Sequence, residues 1–420
     1  MMKVFDVLTQ LGPVVMLPII ITLFGLLFRL SFGKALRAGV TIGVGFAGIN
    51  IVIGYFWGAI APVAEALAKN TGSTLTVIDL GWPSAAAVAW GSSFAPIMAL
   101  ALLGANVLML VLNWTKTLNV DIWNFWGVML LGQIAYYHTQ SVGAAIMVSV
   151  IVMVLVIFLA DRTRNLLYDY FQIPGVSLPH VFTQCAGLIA YPVNWLLDRI
   201  PGINKINWSP GNIQKKYGVI GEPLMIGLVV GAVLSAVARM PYQTILTTAM
   251  SLAASMVLLP RMVSILMEGL VPIADAANEF MQKKFAGREV YIGMDSAIVL
   301  GETANLTTAV LLIPIAIVLA IILPGNKTLP LADLPAIGYM TIISVALCRG
   351  NLFRTLVIGT VTLVAVLWTA TAMAPAVTVL ARQVGFAIPE GTNIITSFCT
   401  GMYWFGYLIQ EAISKLFMLF

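Results

Sequence analysis

The chain has 420 residues, 60% of them hydrophobic and only 9% charged, with a mean hydropathy of +0.98. Soluble domains carry roughly 25% charged residues, so this composition excludes a water-soluble globular protein and puts the chain in a bilayer. The net charge of +5 is what basic cytoplasmic loops give a membrane protein, so membrane lipid, and not nucleic acid, is the expected surrounding.

Apolar runs able to cross a hydrocarbon core, about 17–25 residues each, occur in chain order at Leu11–Leu30, Ala38–Ile60, Phe94–Leu112, Val142–Ala160, Val219–Ala238, Thr244–Leu270, Leu306–Leu323 and Leu356–Val379. The shorter runs Ile122–Tyr137 and Ala336–Leu347 cross only as short or broken helices. Leu11–Leu30 is long enough to span and lacks a small-residue cleavage site before a soluble domain, so no cleavable signal is expected. Four segments interrupt the apolar pattern with Gly, Pro and polar residues: Gly81–Gly91, Gly175–Pro192, Tyr291–Gly301 and Ile388–Gly406. Broken backbone at membrane depth is tolerated only when buried or lining a cavity, so these read as re-entrant hairpins.

Shifted by 210 positions, the chain overlays on itself: Pro13 meets Pro223, Arg29 meets Arg239, Pro62 meets Pro272 and Gly91 meets Gly301. Near the ends the shift drifts, and Cys185 and Gly187 meet Cys399 and Gly401. Residues 1–210 and 211–420 are therefore read as two copies of one unit, an architecture typical of transporters. The loop with Arg29, Lys34 and Arg37 is richer in cations than its counterpart after Arg239, while the loop with Lys69 is poorer than the one with Lys283, Lys284 and Arg288. By the positive-inside rule the N-terminus lies outside, and the linker with Arg199, Lys205, Lys215 and Lys216 lies inside. The expected fold class is an all-α polytopic membrane protein, an inverted internal repeat of about five spans per half.

An ionisable side chain at mid-bilayer costs about 2.5–3.5 kcal/mol on insertion scales, so each one is a site candidate. The candidates are His138, His180, Glu222, Asp295, Glu302 and Glu390. Carboxylates, amides and hydroxyls beside an aromatic face suit a polyol, whose hydroxyls both donate and accept. Asp295, Gln140, Gln184 and His138 supply the polar groups and Trp82 the ring. Structural roles compete: Glu222 reads as a helix-terminal carboxylate, Glu302 as site or interfacial, and Trp82 as site or interfacial anchor. The two histidines either touch substrate or bond another helix, whereas Asp295 reads as a site residue ahead of a helix cap. Cys185, Cys348 and Cys399 have no metal-ligand spacing and read as reduced packing residues.

Four stretches carry a resemblance: Asp79 to Gly91 (Asp-Leu-Gly-Trp-Pro-Ser-Ala-Ala-Ala-Val-Ala-Trp-Gly), Pro174 to His180 (Pro-Gly-Val-Ser-Leu-Pro-His), Gly221 to Leu224 (Gly-Glu-Pro-Leu) and Gly293 to Glu302 (Gly-Met-Asp-Ser-Ala-Ile-Val-Leu-Gly-Glu). They resemble the membrane-spanning IIC components of the bacterial phosphotransferase system, in the galactitol branch of the ascorbate–galactitol superfamily. The resemblance covers essentially the whole chain. It implies about ten or eleven transmembrane helices with re-entrant hairpins in a multi-pass, inner-membrane homodimer. Each protomer would have a substrate core and a dimerisation scaffold drawn from both halves. It further implies elevator-like inward movement of galactitol or a related polyol, coupled to phosphorylation by cytoplasmic IIB and IIA subunits. The sugar contacts it implies fall at Ser84, His138, Gln140, His180, Gln184 and Asp295, with Trp82, Ser296 and Glu302 completing the candidate set.

No soluble IIA- or IIB-like region is present in the sequence, so no residue here is expected to carry the phosphoryl group, and neither cofactor nor metal is expected. The competing reading is an ion-coupled secondary transporter of a polar organic solute, with Asp295 or Glu302 as a proton or sodium site. A lipid-modifying membrane enzyme would need a nucleophile–base pair or a metal cluster, and no grouping has that spacing.

Overall fold

The computed structural model describes residues 15, 18–19, 21–70, 77–119, 121, 123–210, 223–284, 289–330, 332–385 and 393–419. The candidates Glu222 and Glu390 lie outside the described residues, as do Lys215, Lys216 and Arg288. The described chain is overwhelmingly helical, in agreement with the all-α expectation.

Helices α1 (residues 21–27), α2 (Phe32–Asn70), α8 (Pro223–Val237) and α9 (Tyr242–Lys284) pack together. At a rise of 1.5 Å per residue α2 is about 58 Å long and α9 about 64 Å, well beyond a hydrocarbon core of about 30 Å. Both therefore continue past the apolar spans Ala38–Ile60 and Thr244–Leu270. They run antiparallel in close contact: a side chain on Gly45 would strike the backbone of Leu266, and one on Gly269 would strike Ile42 and the Ala38 carbonyl. Small residues allow this approach where lipid offers no hydrophobic drive to helix association.

The remaining helices form most of the larger buried core, to which α2 adds Phe56, Ile60 and Val63, α8 adds Leu234 and α9 adds Leu252. These remaining helices are α3 (Trp82–Gly91), α4 (Ala95–Val111), α5 (Trp123–Thr139), α6 (Val142–Phe171), α7 (Val181–Leu197), α10 (Thr303–Ile322), α11 (Ile337–Leu347), α12 (Leu352–Gln383), α13 (Phe398–Gly401) and α14 (Trp404–Phe417). Three of the described helices, α6, α10 and α12, are long and apolar enough to cross a membrane, and α3 and α4 meet at 88° as a broken span or re-entrant loop. The short run Ile122–Tyr137 proves to be the uninterrupted helix α5 over its described length, and Ala336–Leu347 forms the eleven-residue α11.

Two three-stranded parallel sheets, which the apolar pattern gave no hint of, organise the hairpins. One has the order β5 (Thr328–Leu329), β1 (Val77–Asp79), β6 (Ile394–Thr396), with Val77 beside both Thr328 and Ile394. The other has the order β2 (Thr117–Asn119), β4 (Tyr291–Gly293), β3 (Val176–Ser177), with Ile292 beside both Leu118 and Val176. Each sheet thus places a central strand from one half of the sequence between two strands from the other half.

Buried sheet edges need partners in a membrane protein, and side chains provide them. Asn106 on α4 accepts from Asn119 N and donates to the Thr117 carbonyl, both at 2.9 Å, along the outer edge of β2. Thr378 on α12 serves β6 likewise, accepting from Ile395 N at 2.9 Å. Where the second sheet reaches the surface, Lys116 donates to Glu289 at 3.0 Å. Hydrogen bonds from Lys116 and Tyr291 hold the Glu289 carboxyl below the usual carboxylate range.

Candidate functional site

Because the strands of each sheet are parallel, the three segments that follow them emerge at one edge, and most turn at once into a helix. Polar residues on those segments converge there without any helical or strand periodicity to announce them.

At the edge of the first sheet two aspartates tie the hairpins together. Asp79 accepts from Gly81 N at 3.0 Å and Phe398 N at 3.1 Å through Oδ1, and from Ala332 N at 3.1 Å and Asp333 N at 3.2 Å through Oδ2. Asp333 accepts from Trp82 N at 2.7 Å through Oδ1, and from Ser397 Oγ at 2.5 Å and Cys399 N at 3.1 Å through Oδ2. Charge-assisted bonds of this kind are the strong ones, and this edge has its lone pairs well supplied. Gly81, with φ of 78°, makes the turn that a side chain would resist.

The edge of the second sheet is built the same way but is less filled. Asp121 accepts from Trp123 N at 3.1 Å through Oδ1 and from Asp295 N at 2.9 Å through Oδ2. Asp295 caps the 3₁₀ turn Ser296–Val299, accepting from Ala297 N at 2.8 Å. His180, just before α7, packs against the rings of Phe182 and Tyr339, at centroid distances of 4.7 and 4.9 Å. Thr183 Oγ1 hydrogen-bonds Ser296 Oγ at 2.8 Å and the Tyr339 carbonyl at 3.1 Å, which ties α7, the 3₁₀ turn and α11 together. Among the described residues three buried polar atoms here have no partner: Asn119 Nδ2, Asn124 Oδ1 and Trp123 Nε1.

Aromatic rings join the two edges. Trp82, from the first, meets Trp123 edge-on at 5.9 Å and Trp126 at 6.4 Å, and Trp126 continues to Phe182 at 5.8 Å and so to His180. Tyr403 closes the group against Trp126 and Phe182. The result is an aromatic wall, buried at Trp126, Phe182 and Tyr403 and exposed at Trp82, with carboxylates and amides at one end, a combination able to face the C–H and O–H surfaces of a polyhydroxy compound.

A family described as "PTS system sugar-specific permease component" matches residues 6–391, nearly the whole chain. The chain belongs to this permease family. Among relatives of the permease, "PTS system galactitol-specific EIIC component" of Escherichia coli (strain K12) is 38% identical over 387 residues, covering 91% of this chain and 85% of that protein. "Putative permease IIC component" from the same strain is 35% identical over 410 residues, covering 98% of this chain and 94% of that protein. The permease is accordingly a membrane-integral protein.

Of the residues singled out from the sequence of this permease, His180, Asp295, Ser296 and Trp82 come together around the aromatic wall. Ser84 is buried and donates to the Gly81 carbonyl at 2.7 Å, holding its own turn. Gln184 is buried behind His180, donating to the Leu178 carbonyl at 2.8 Å and to Thr163 Oγ1 at 3.1 Å. Glu302 caps α10, accepting from Asn305 N at 2.8 Å and from the Tyr170 hydroxyl at 3.1 Å.

His138 and Gln140 are not brought to this group. The fifteen residues from Trp123 to His138 climb about 22 Å along α5, and His138 sits there with Glu411, 3.7 Å away. Gln140 is exposed, with φ of 53°, and its side chain returns to the Tyr137 carbonyl at 3.1 Å. Sequence reasoning passed over Asp79, Asp121, Asp333, Asn119, Asn124 and Tyr339. The available signal was the Asn-x-Asp at 119–121 directly before the aromatic start of α5 and the acidic residue at each hairpin mouth.

Proposed function

We propose that this chain is the membrane-spanning IIC permease of a phosphotransferase system, that it carries galactitol or a related polyol inward, and that a cytoplasmic IIB subunit, supplied by IIA, phosphorylates the cargo. The observation that carries the substrate class is the second sheet edge, where Asp121, Asp295 and His180 stand beside a wall of Trp123, Trp126, Phe182 and Tyr339. Hydroxyls both donate and accept, and a carboxylate, an imidazole and amides on one side of stacked rings match a polyol better than they match an ion or a lipid tail. The name of the 38% identical relative supports galactitol within that class.

In this reading Asp295, His180, Ser296 and Trp82 face substrate, while Ser84, Gln184 and Glu302 fix the backbone that presents them. The antiparallel pairing of α2 with α9, which the 210-position shift brings into register, supports an inverted repeat of residues 1–210 and 211–420. The packing of α2 and α8 on α9, closer than their packing on the hairpin core, supports a scaffold against which that core moves in an elevator-like way, and in this reading the chain is one protomer of an inner-membrane, multi-pass homodimer.

The test is to supply radiolabelled galactitol outside vesicles containing the purified protein, with and without the cytoplasmic phosphotransfer proteins and phosphoenolpyruvate inside, and to identify the internal label. Galactitol phosphate formed only with those proteins is the expected result. Free galactitol accumulated on an ion gradient, and lost on adding an ionophore, would instead establish a symporter.

A further inference from the structure

Asn119 and Asn124 form a buried amide pair with both ends unspent. Asn119 closes β2 and is fully buried, and Asn124 stands in the first turn of α5 at 2% exposure. Asn124 Nδ2 donates to Asn119 Oδ1 at 3.0 Å, and Asn106 Oδ1 accepts from the Asn119 backbone N at 2.9 Å. That leaves Asn119 Nδ2 as a donor and Asn124 Oδ1 as an acceptor, neither with a partner among the described residues.

An orphaned buried amide group is costly in any protein, and more so where lipid replaces water around the fold. The corresponding edge of the first sheet shows that this fold can fill such positions, since Asp79 and Asp333 there draw on six backbone N–H groups and one hydroxyl. The unspent pair also sits at the site itself. Asn119 is paired with Gly293 in the sheet, Asp295 follows two residues later, and Asp295 N donates to Asp121 Oδ2.

We infer that Asn119 and Asn124 are specificity-determining residues, reading hydroxyl groups of the cargo with one donor and one acceptor held side by side. A hydroxyl accepts from Asn119 Nδ2 and another donates to Asn124 Oδ1, so a polyol epimer with one of them turned away leaves a buried group unmade. This rests on the polyol reading of the same site. A site that hydrogen-bonds a hydroxyl rejects the analogue lacking it far more strongly than an apolar pocket rejects a size change.

The experiment measures equilibrium binding of galactitol, mannitol and sorbitol to the purified full-length protein by calorimetry, with no phosphotransfer proteins present, for wild type, Asn119→Asp and Asn124→Ser. Asn119→Asp keeps the acceptor for Asn124 and replaces the free donor with a carboxylate oxygen. The expected result is a wild type that binds one of these stereoisomers best, and variants that lose about 10–100-fold for that stereoisomer and much less for the others. Unchanged affinities and unchanged stereoisomer ranking in folded variants would overturn the inference while leaving the polyol reading in place. A wild type that binds no polyol would overturn the polyol reading and this inference with it. If both variants fail to fold, the wild type still decides: equal binding of all three stereoisomers overturns the inference, and discrimination among them supports it.

Discussion

Asp121 and Asp333 do the same thing on opposite sheets. Asp121 follows β2 and accepts the backbone N–H of Asp295, while Asp333 follows β5 and accepts the backbone N–H of Trp82, at 2.9 and 2.7 Å. Each carboxylate reaches across to a hairpin from the other half of the sequence and fixes where its tip begins. The difference lies in what else they hold. Asp333 also takes Ser397 and Cys399, whereas around Asp121 three buried polar atoms are without partners among the described residues.

Asp333→Ala should be a folding mutation. It strips the partner from two backbone N–H groups and one hydroxyl in a buried site, at about 1–3 kcal/mol for each group left unpaired. A loss of at least about 3 kcal/mol is expected, read as a lower melting temperature and a broadened size-exclusion peak in detergent. Asp333→Asn, which keeps acceptor oxygen, should fall between the two. A melting temperature equal to wild type for Asp333→Ala would mean the clamp is dispensable.

Asp295→Ala should separate transport from folding. Only its Oδ1 bond to Ala297 N is a cap, worth about 1 kcal/mol, so the protein should insert in normal amount. Uptake of galactitol should nonetheless fall by about 100-fold or more, as measured with label in vesicles together with immunoblotting of the membrane fraction. Wild-type uptake in this variant would remove Asp295 from the site.

The two histidines should behave differently. His180→Ala should lower polyol affinity by about 10-fold or more, because the imidazole lies in the aromatic wall. His138→Ala should change it by less than about 2-fold, since His138 stands about 22 Å along α5 from Trp123. Binding constants by calorimetry for the two variants make the comparison, and a larger effect at His138 would reverse the placement of the site.

Lys116 and Lys327 test the proposed opposite orientation of the two halves. Each is an exposed residue directly before a strand, β2 in one sheet and β5 in the other. With the linker inside, Lys116→Cys and Lys284→Cys should react with a membrane-impermeant maleimide only from the cytoplasm, and Lys327→Cys only from outside. Labelling of Lys116→Cys and Lys327→Cys from the same side would contradict the opposed halves.

Much of this fold can be read from hydropathy, because long helices in lipid leave long apolar runs; α6 and α12 contain the runs found for them, and α10 contains all of its run but Leu323. The hairpins were legible as well, since Gly81, Pro83, Gly175 and Gly293 interrupt otherwise apolar sequence. The strands were not. Two or three residues, such as Val176–Ser177, cannot show an alternation, and what makes them strands is a partner far away in the chain. The same limit hid half the site. His180 and Asp295 stand out as ionisable groups in apolar surroundings, but Asn119, Asn124 and Tyr339 look like ordinary loop and helix residues until the parallel edges bring them together. His138 failed for the opposite reason, since its polar neighbourhood in sequence lies at the far end of a helix.

The interleaving of strands also sets the order in which the molecule can be completed. Val77 lies beside Ile394, and the Asp79 carboxylate takes the N–H of Phe398. During synthesis the first hairpin must therefore enter the bilayer and wait, its polar mouth unfinished, until almost the last helix has left the ribosome. Contacts of such sequence separation form slowly. A chain released early, even one long enough to include every apolar run through α12, would lack β6 and the Ser397, Phe398 and Cys399 donors, leaving the first sheet one strand short and the Asp79 and Asp333 carboxylates short of partners.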